Sequence, residues 1–377
     1  MIAKTIKGNS PEEIKTALQQ SVTDSYKPTL AIVFISIKQD HEAVSKVLDE
    51  EGIAIYGATT NGEFTGEGIS SGEIAVMLLD INPSYFHIVF EEFSENNYRQ
   101  TTQAIAKKAL EKFAHPCFLI AGSNLNTDAE ELLHGFEDVI GKQVNVNGGM
   151  AGDDFAFTEQ FVFTNIKSSN NGIVTIVLDE DKISIKGRAT SGWKAVGTEK
   201  TVTKSIGNHV FTIDDTPVLD LVMKYGGLEN VTAENFALEH SMTLNFQLQR
   251  ETGDPVLRAG LLVDWNDHSY YCSGSVPQGS KVQFTLPPDF DVIEKTIKGC
   301  EDLKATEMPE ADALLVFNCA GRLLAFGPLI GEEIEGIRGV WDVPIAGMFS
   351  NAELARATNG NLEMHAFTAC TVALKEK

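Results

Sequence analysis

One phrase occurs twice in this chain, once near each end, and it constrains the fold more than any other feature. Ile53-Ala54-Ile55-Tyr56-Gly57-Ala58-Thr59-Thr60-Asn61-Gly62-Glu63-Phe64 is the first copy, and Val343-Pro344-Ile345-Ala346-Gly347-Met348-Phe349-Ser350-Asn351-Ala352-Glu353-Leu354 is the second. Each reads as an apolar strand, a glycine, two variable residues, a hydroxyl residue, Asn, a small residue, Glu and an apolar residue. The reading is that each strand breaks at its glycine, turns tightly and leaves amide N–H groups free. Two such corners, each with a hydroxyl, an amide and a carboxylate, predict paired halves around a polar pocket.

The chain has 377 residues, 43% of them apolar and 22% charged, which is globular chemistry with room for two domains. Its formal net charge of −23 excludes nucleic acid and anionic membranes as partners, since phosphate binding needs Lys and Arg to release counterions. The N-terminus has no apolar run of signal-peptide length, and no stretch approaches the ~20 apolar residues of a membrane span. The five cysteines are scattered and include no Cys-x-x-Cys pair, which argues against a disulfide framework and a structural zinc site. A cytoplasmic location is expected.

The pattern of elements is mixed. Ser10, Pro11 and Glu13 announce a first helix, with Ile14, Ala17, Leu18 and Val22 on one face. Leu30 to Ile37 is a continuous apolar run, typical of a strand buried on both faces. Cys117 to Ala121, a helix over 128–140 capped by Thr127, and a strand ending at Gly148-Gly149 repeat the strand, helix, strand, glycine order. Ala313 to Phe317, a short helical stretch around Glu332 to Gly336, and Val343 to Gly347 repeat it again. A helix capped by Asp215 stops at Gly226-Gly227, and one capped by Asp289 ends at Gly299. The expected fold class is α/β (mixed α+β): two domains, 1–225 and 226–377, with mixed sheets flanked by helices.

The candidate chemistry lies around the glycine corners. Glu63 and Glu353 each precede an apolar residue, and a buried unpaired carboxylate costs several kcal/mol, so each needs a cation or several donors. The alternative is that each accepts amides of its own turn. Asp153 and Asp154, after Gly148 to Gly152, either serve as acid and base or brace a turn. Cys319 closes an apolar strand where a nucleophile could stand, with Arg322 nearby to lower its pKa and His365 as a conceivable base; a buried small hydrophobe is the plainer reading. Arg322 is a rigid fork for a carboxylate, either Glu353 or a ligand acid. Asn61, Gly347, Ser350 and Asn351 complete the expected pocket wall. No phosphate loop and no dinucleotide fingerprint is present.

These pieces, in their order, resemble the FIST family, which has an N-terminal and a C-terminal FIST half. The resemblance is carried by Gly57 to Glu63, Gly148 to Asp154, Ser191-Gly192-Trp193 leading to Val202-Thr203, Val276 to Val282, Cys319 to Arg322, Pro344 to Glu353, and His365. It implies a small-ligand-binding sensory protein of intracellular signal transduction, with an amino acid or related metabolite as ligand and a separate signalling protein (kinase, cyclase/phosphodiesterase or chemoreceptor-type output) as partner. It departs from the family pattern at Ala352, where Gly is favoured, and at Ala366, where Asn is favoured after His. The expectation is therefore a non-enzyme without a cofactor. A haem-based gas sensor using His365 and a thiol-dependent enzyme using Cys319 are the alternatives.

Overall fold

The structure is a computed structural model, and it describes residues 1–228, 230–236, 240, 245–286 and 289–377. Among the described residues, three six-stranded mixed sheets and one seven-stranded antiparallel sheet make up the fold. The three mixed sheets are built from one repeated unit. Each unit starts with an edge strand (Ile2–Gly8, Phe86–Glu92 or Ile183–Thr190) and a helix (Pro11–Ser21, Tyr98–Lys112 or Phe290–Thr306). A parallel pair follows, with a helix between its strands: Leu30–Ser36 with Ala54–Thr60, Pro116–Gly122 with Val146–Met150, and Ala313–Cys319 with Ile345–Ser350. A two-stranded hairpin comes next, and a return strand (Ile74–Asp80, Gly172–Asp179 or Ala369–Glu376) pairs antiparallel beside the first strand of the parallel pair. The repetition seen in the sequence is thus a triplication.

The hairpins do not stay with their own units. The first unit's hairpin, Glu63–Thr65 with Gly68–Ser70, pairs onto Ile345–Ser350 of the third. The third unit's hairpin, Glu353–Arg356 with Leu362–His365, pairs onto Val146–Met150 of the second. The second unit's hairpin, Val162–Phe163 with Ser168–Ser169, pairs onto Ala54–Thr60 of the first. The exchange closes into a cycle.

The core follows from this arrangement. One apolar cluster combines inward-facing residues of all three sheets, among them Phe34, Tyr56, Leu119, Phe317, Met348 and Cys370. The outer face of each sheet packs on its own helices, giving three further clusters. The first strand of each parallel pair is therefore buried on both faces, which is why Leu30–Ser36, Pro116–Gly122 and Ala313–Cys319 read as near-continuous apolar runs.

The seven-stranded sheet, drawn from residues 195–285, is an insertion in the third unit between its edge strand and its helix Phe290–Thr306. The helix Val218–Gly226 packs against its inner face. A boundary between residues 225 and 226 falls at the end of this helix, inside the insertion.

Several local expectations change. The helix Ala129–Ile140 is capped by Asp128, which accepts from Glu130 N and Glu131 N, while the Thr127 hydroxyl donates to Ser123 O. Asp215 has φ of +60° in a turn, and the helix after it starts at Val218 with no side-chain cap. Asp289 precedes its helix but makes no cap bond; its carboxylate pairs with Lys194. That helix runs on through Gly299 to Thr306, and Gly299 is there because a Cβ would stand 2.5 Å from Thr190 Oγ1. Residues 320–326 form a helix directly after the strand that Cys319 closes.

Candidate functional site

The glycines of the repeated phrase do not break their strands. Ala54–Thr60 runs through Gly57 and Ile345–Ser350 runs through Gly347. Their smallness serves the incoming hairpins. Gly57 pairs with Phe163, Gly347 with Phe64, and Gly148 with Leu354. A Cβ on Gly57 would lie 2.2 Å from the Phe163 ring, and one on Gly347 would lie 2.2 Å from the Phe64 ring. Gly57 and Gly347 are sockets for the large apolar residues of exchanged hairpins, whereas at Gly148 a Cβ would stand 1.9 Å from Ile120 O of the neighbouring strand.

The turns after these strands meet at the centre. Asn61 N donates to Phe349 O (3.0 Å), Asn351 N to Met150 O (3.0 Å) and Gly152 N to Thr59 O (2.8 Å). Donors and acceptors stand at equivalent positions in the three units, so the bonds form a ring. Side chains reinforce it: Asn61 Nδ2 donates to Asn351 Oδ1 (2.8 Å), and Asn351 Nδ2 donates to Ala151 O (2.7 Å). Asn61 Oδ1 accepts from Asp153 N and Phe155 N. The second unit has Gly152 in place of an Asn, because a Cβ there would sit 2.4 Å from Asn61 Nδ2. Gly62 takes φ of +143°, whereas Ala352 keeps a negative φ, so alanine fits its turn unstrained.

The two phrase carboxylates are fully buried at this hub. Glu63 accepts from Thr60 Oγ1 (2.9 Å), Ser70 Oγ (3.2 Å) and Glu73 N (2.6 Å). Burial nevertheless raises its pKa to about 7, with the nearby Asp154 charge adding a little. Glu353 accepts from Ser350 Oγ (2.8 Å), and burial lifts its pKa well above the carboxylate range. Its Oε2 has no partner among the described residues. The hydroxyl of the phrase thus holds the carboxyl three residues later, in both copies. In the second unit the matching hairpin position is Val162, and the longer turn before it is held by Asp153. That carboxylate accepts from Phe157 N, Thr158 N, Glu159 N and Gln160 Nε2.

Glu63 makes stability depend on pH. A carboxyl whose folded pKa lies above its unfolded value stabilises fully below the unfolded value, and that contribution is lost as pH rises through the folded one. Melting temperature is expected to fall between about pH 5 and 8. In Glu63→Gln this component of the slope disappears, leaving the variant more stable at pH 8 by up to about 3 kcal/mol. An unchanged slope in the variant would mean that Glu63 stays ionised in the fold.

Arg322 is buried and spends all five N–H groups on the protein. Its Nε and Nη2 hold Glu333, Nη2 also donates to Thr296 Oγ1 (2.9 Å), and Nη1 donates to Ser191 O (2.7 Å) and Phe367 O (3.0 Å). Trp193 and Phe326 lie against its guanidinium, 5.2 and 5.1 Å from their ring centres. Its carboxylate partner is Glu333, where the sequence had suggested Glu353 or a ligand. Glu333 has a signature that the sequence analysis missed: an acid in line with Ile330, Ile334, Ile337 and Trp341 on the buried face of the helix Ile330–Trp341.

Cys319 is buried beside Glu353, and burial pushes its thiol up to about 12, so it is held protonated. His365 is buried with its pKa depressed to about 4, and its neutral ring donates through Nε2 to Ala355 O (3.0 Å).

An open concavity lies beside the hub. It is a groove of about 340 Å³ between the exchanged hairpin (Thr65 to Ile69) and the helical segment from Leu323 to Arg338. Ile69, Leu323, Ile330 and Ile334 give it an apolar floor, and Arg338 and Glu335 stand at its rim. Arg338 Nη1 donates to Gly66 O and to Glu335, both at 3.1 Å. A second concavity of about 620 Å³ runs between the helices Phe290–Thr306 and Ile330–Trp341, past Lys304 and Gly339. Among the described residues no cluster of His, Cys, Asp and Glu could hold a metal ion, and no helix is long and apolar enough to cross a membrane.

A triplicated core, an inserted antiparallel sheet and a polar hub together define an α+β module whose two sequence halves share their sheets. The sequence model of the FIST N domain matches residues 29–216, and that of the FIST C domain matches residues 219–356. The chain belongs to the FIST family, whose domains are sensory domains of signal transduction. No curated protein matches it.

Proposed function

We propose that this protein is a cytoplasmic sensor of a small metabolite, an amino acid or a related acid, that passes its signal to a separate protein. The observation that supports this most is the groove beside the hub. It has the volume of a small-molecule site, an apolar floor and a paired cation and anion at its rim. A zwitterion's carboxylate would take the guanidinium N–H groups of Arg338 that Gly66 and Glu335 leave free, and its ammonium would face Glu335. Arg322 and Glu353 serve this purpose less well, because the first is saturated and neither lines the groove. One wall of the groove is the hairpin that Glu63 anchors, so a ligand would press on an element shared by two units.

A thermal-shift panel of amino acids and small organic acids tests the reading. A true ligand at 100 times its Kd stabilises by about 2.7 kcal/mol and raises the melting temperature, and Arg338→Ala should abolish the rise. A panel in which no compound shifts the wild-type melt overturns it.

A further inference from the structure

The outer face of the inserted sheet carries an apolar row that nothing in the described chain covers. Four residues lie directly opposite one another across four adjacent strands: Leu262 pairs with Tyr271, Tyr271 with His209, and His209 with Ile206. Ile206 is 71% exposed, Leu262 67% and Tyr271 38%, and Leu261 at the bulge beside the row is 51% exposed. The row is ordered. His209 stacks on Tyr271 with ring centres 3.9 Å apart, Phe211 packs on His209 at 4.0 Å, and Lys204 Nζ sits 4.4 Å from the Phe211 centre. His209 Nε2 is fixed by Ser269 Oγ at 2.6 Å. A preorganised aromatic and aliphatic strip exposed to water is the signature of a docking face.

The charges on this face select the occupant. Side chains two residues apart on a strand share a face, so Asp264 stands beside Leu262 at one end and Lys204 beside Ile206 at the other. A two-fold axis running along the strands, between Tyr271 and His209, lays one such face on another. It sets Leu262 on Ile206, Tyr271 on His209 and Asp264 on Lys204, each contact occurring twice. That is the self-complementarity an isologous dimer requires. The strip pairs Asp264 with Lys204, with Asp267 at its edge by Ser269 and His209, so two strips meet with less repulsion than a net charge of −23 imposes elsewhere on the surface.

We propose that the protein forms a two-fold dimer through the outer face of its inserted sheet, centred on Ile206, His209, Leu262 and Tyr271. Sedimentation velocity on the full chain over a concentration series tests it. The wild type should approach twice the 41.0 kDa chain mass as concentration rises. Leu262→Glu and Ile206→Glu should each weaken association at least about ten-fold while leaving the circular-dichroism melt of the monomer unchanged. Lys204→Asp should weaken it, and adding Asp264→Lys should restore it, because the two-fold axis makes these residues partners. A wild type that keeps the mass of one chain throughout, including one that binds a different protein on this face, overturns the proposal. So does a charge-swapped pair that fails to recover the dimer.

Discussion

Residues 1–217, expressed without residues 218–377, are expected to show no cooperative thermal unfolding, and residues 218–377 alone are expected to show none either. The cut falls between the regions matched by the two FIST models, where an independent domain boundary would seem natural. The strand pairing says otherwise. The N-terminal piece would lose the hairpin Glu353–His365 from the sheet of Val146–Met150, leaving Gly148 and its neighbours facing water. The C-terminal piece would lose the hairpin Glu63–Ser70, so the Phe64 socket at Gly347 would stand empty. It would also lose the edge strand Ile183–Thr190, which pairs along the whole of Ala369–Glu376. The inserted sheet would be divided as well, because Ala195–Ile206 and His209–Ile213 pair with strands beyond the cut. Missing contacts on this scale exceed the 5–15 kcal/mol by which a domain is stable. Mixing the two pieces should restore a cooperative melt. A sharp, native-like transition in either piece alone would show that the exchange does not bind the halves together.

The second large effect is expected at Arg322. Truncation to Ala leaves Glu333 as an uncompensated buried acid and strips a donor from each of Ser191 O, Phe367 O and Thr296 Oγ1. Breaking a buried pair from one side costs about 3–5 kcal/mol, which is a large share of the total. Replacing both partners, as Arg322→Met with Glu333→Leu, should cost clearly less, because no charge is then stranded. The amide of Asn318, which also donates to Glu333, sets what remains of the loss. Urea unfolding of the three proteins measures this directly. An Arg322→Ala variant within 1 kcal/mol of wild type would mean that the pair contributes little.

The elements of the core were legible because burial on both faces writes itself as apolar runs. Leu30 to Ile37 and Ala313 to Phe317 could be read as strands for that reason, and Ser10, Pro11 and Glu13 marked a helix start whose Ser10 hydroxyl does accept from Glu13 N. The importance of Gly57 and Gly347 was also legible, but its cause was not. A glycine required by a neighbour's phenyl ring looks, in sequence, like a glycine required by a turn. The partner rings Phe64 and Phe163 lie in hairpins belonging to other units, and register between distant strands leaves no local trace.

The same limit explains the site. Buried positions for Glu63 and Glu353 follow from their apolar neighbours, and the hydroxyl three residues earlier is what each accepts from. Arg322 was visible as a strong fork, yet its carboxylate stands eleven residues on, inside the short helical stretch read around Glu332 to Gly336, whose buried face was not read. Arg338 and Glu335 were not singled out, because opposite charges three apart on a helix are common on solvated faces. Only the exchanged hairpin, arriving from residues 65–69, turns that helix surface into the wall of a groove.

Because the three hairpins are handed round in a closed circle, this molecule cannot gain or lose one of its repeats. An open array can drop a module and let the neighbours restack. Here, removing any one module strands a hairpin without a sheet and leaves a sheet without a hairpin, at two separate places. What the circle does tolerate is extra chain between strands, as residues 195–285 illustrate.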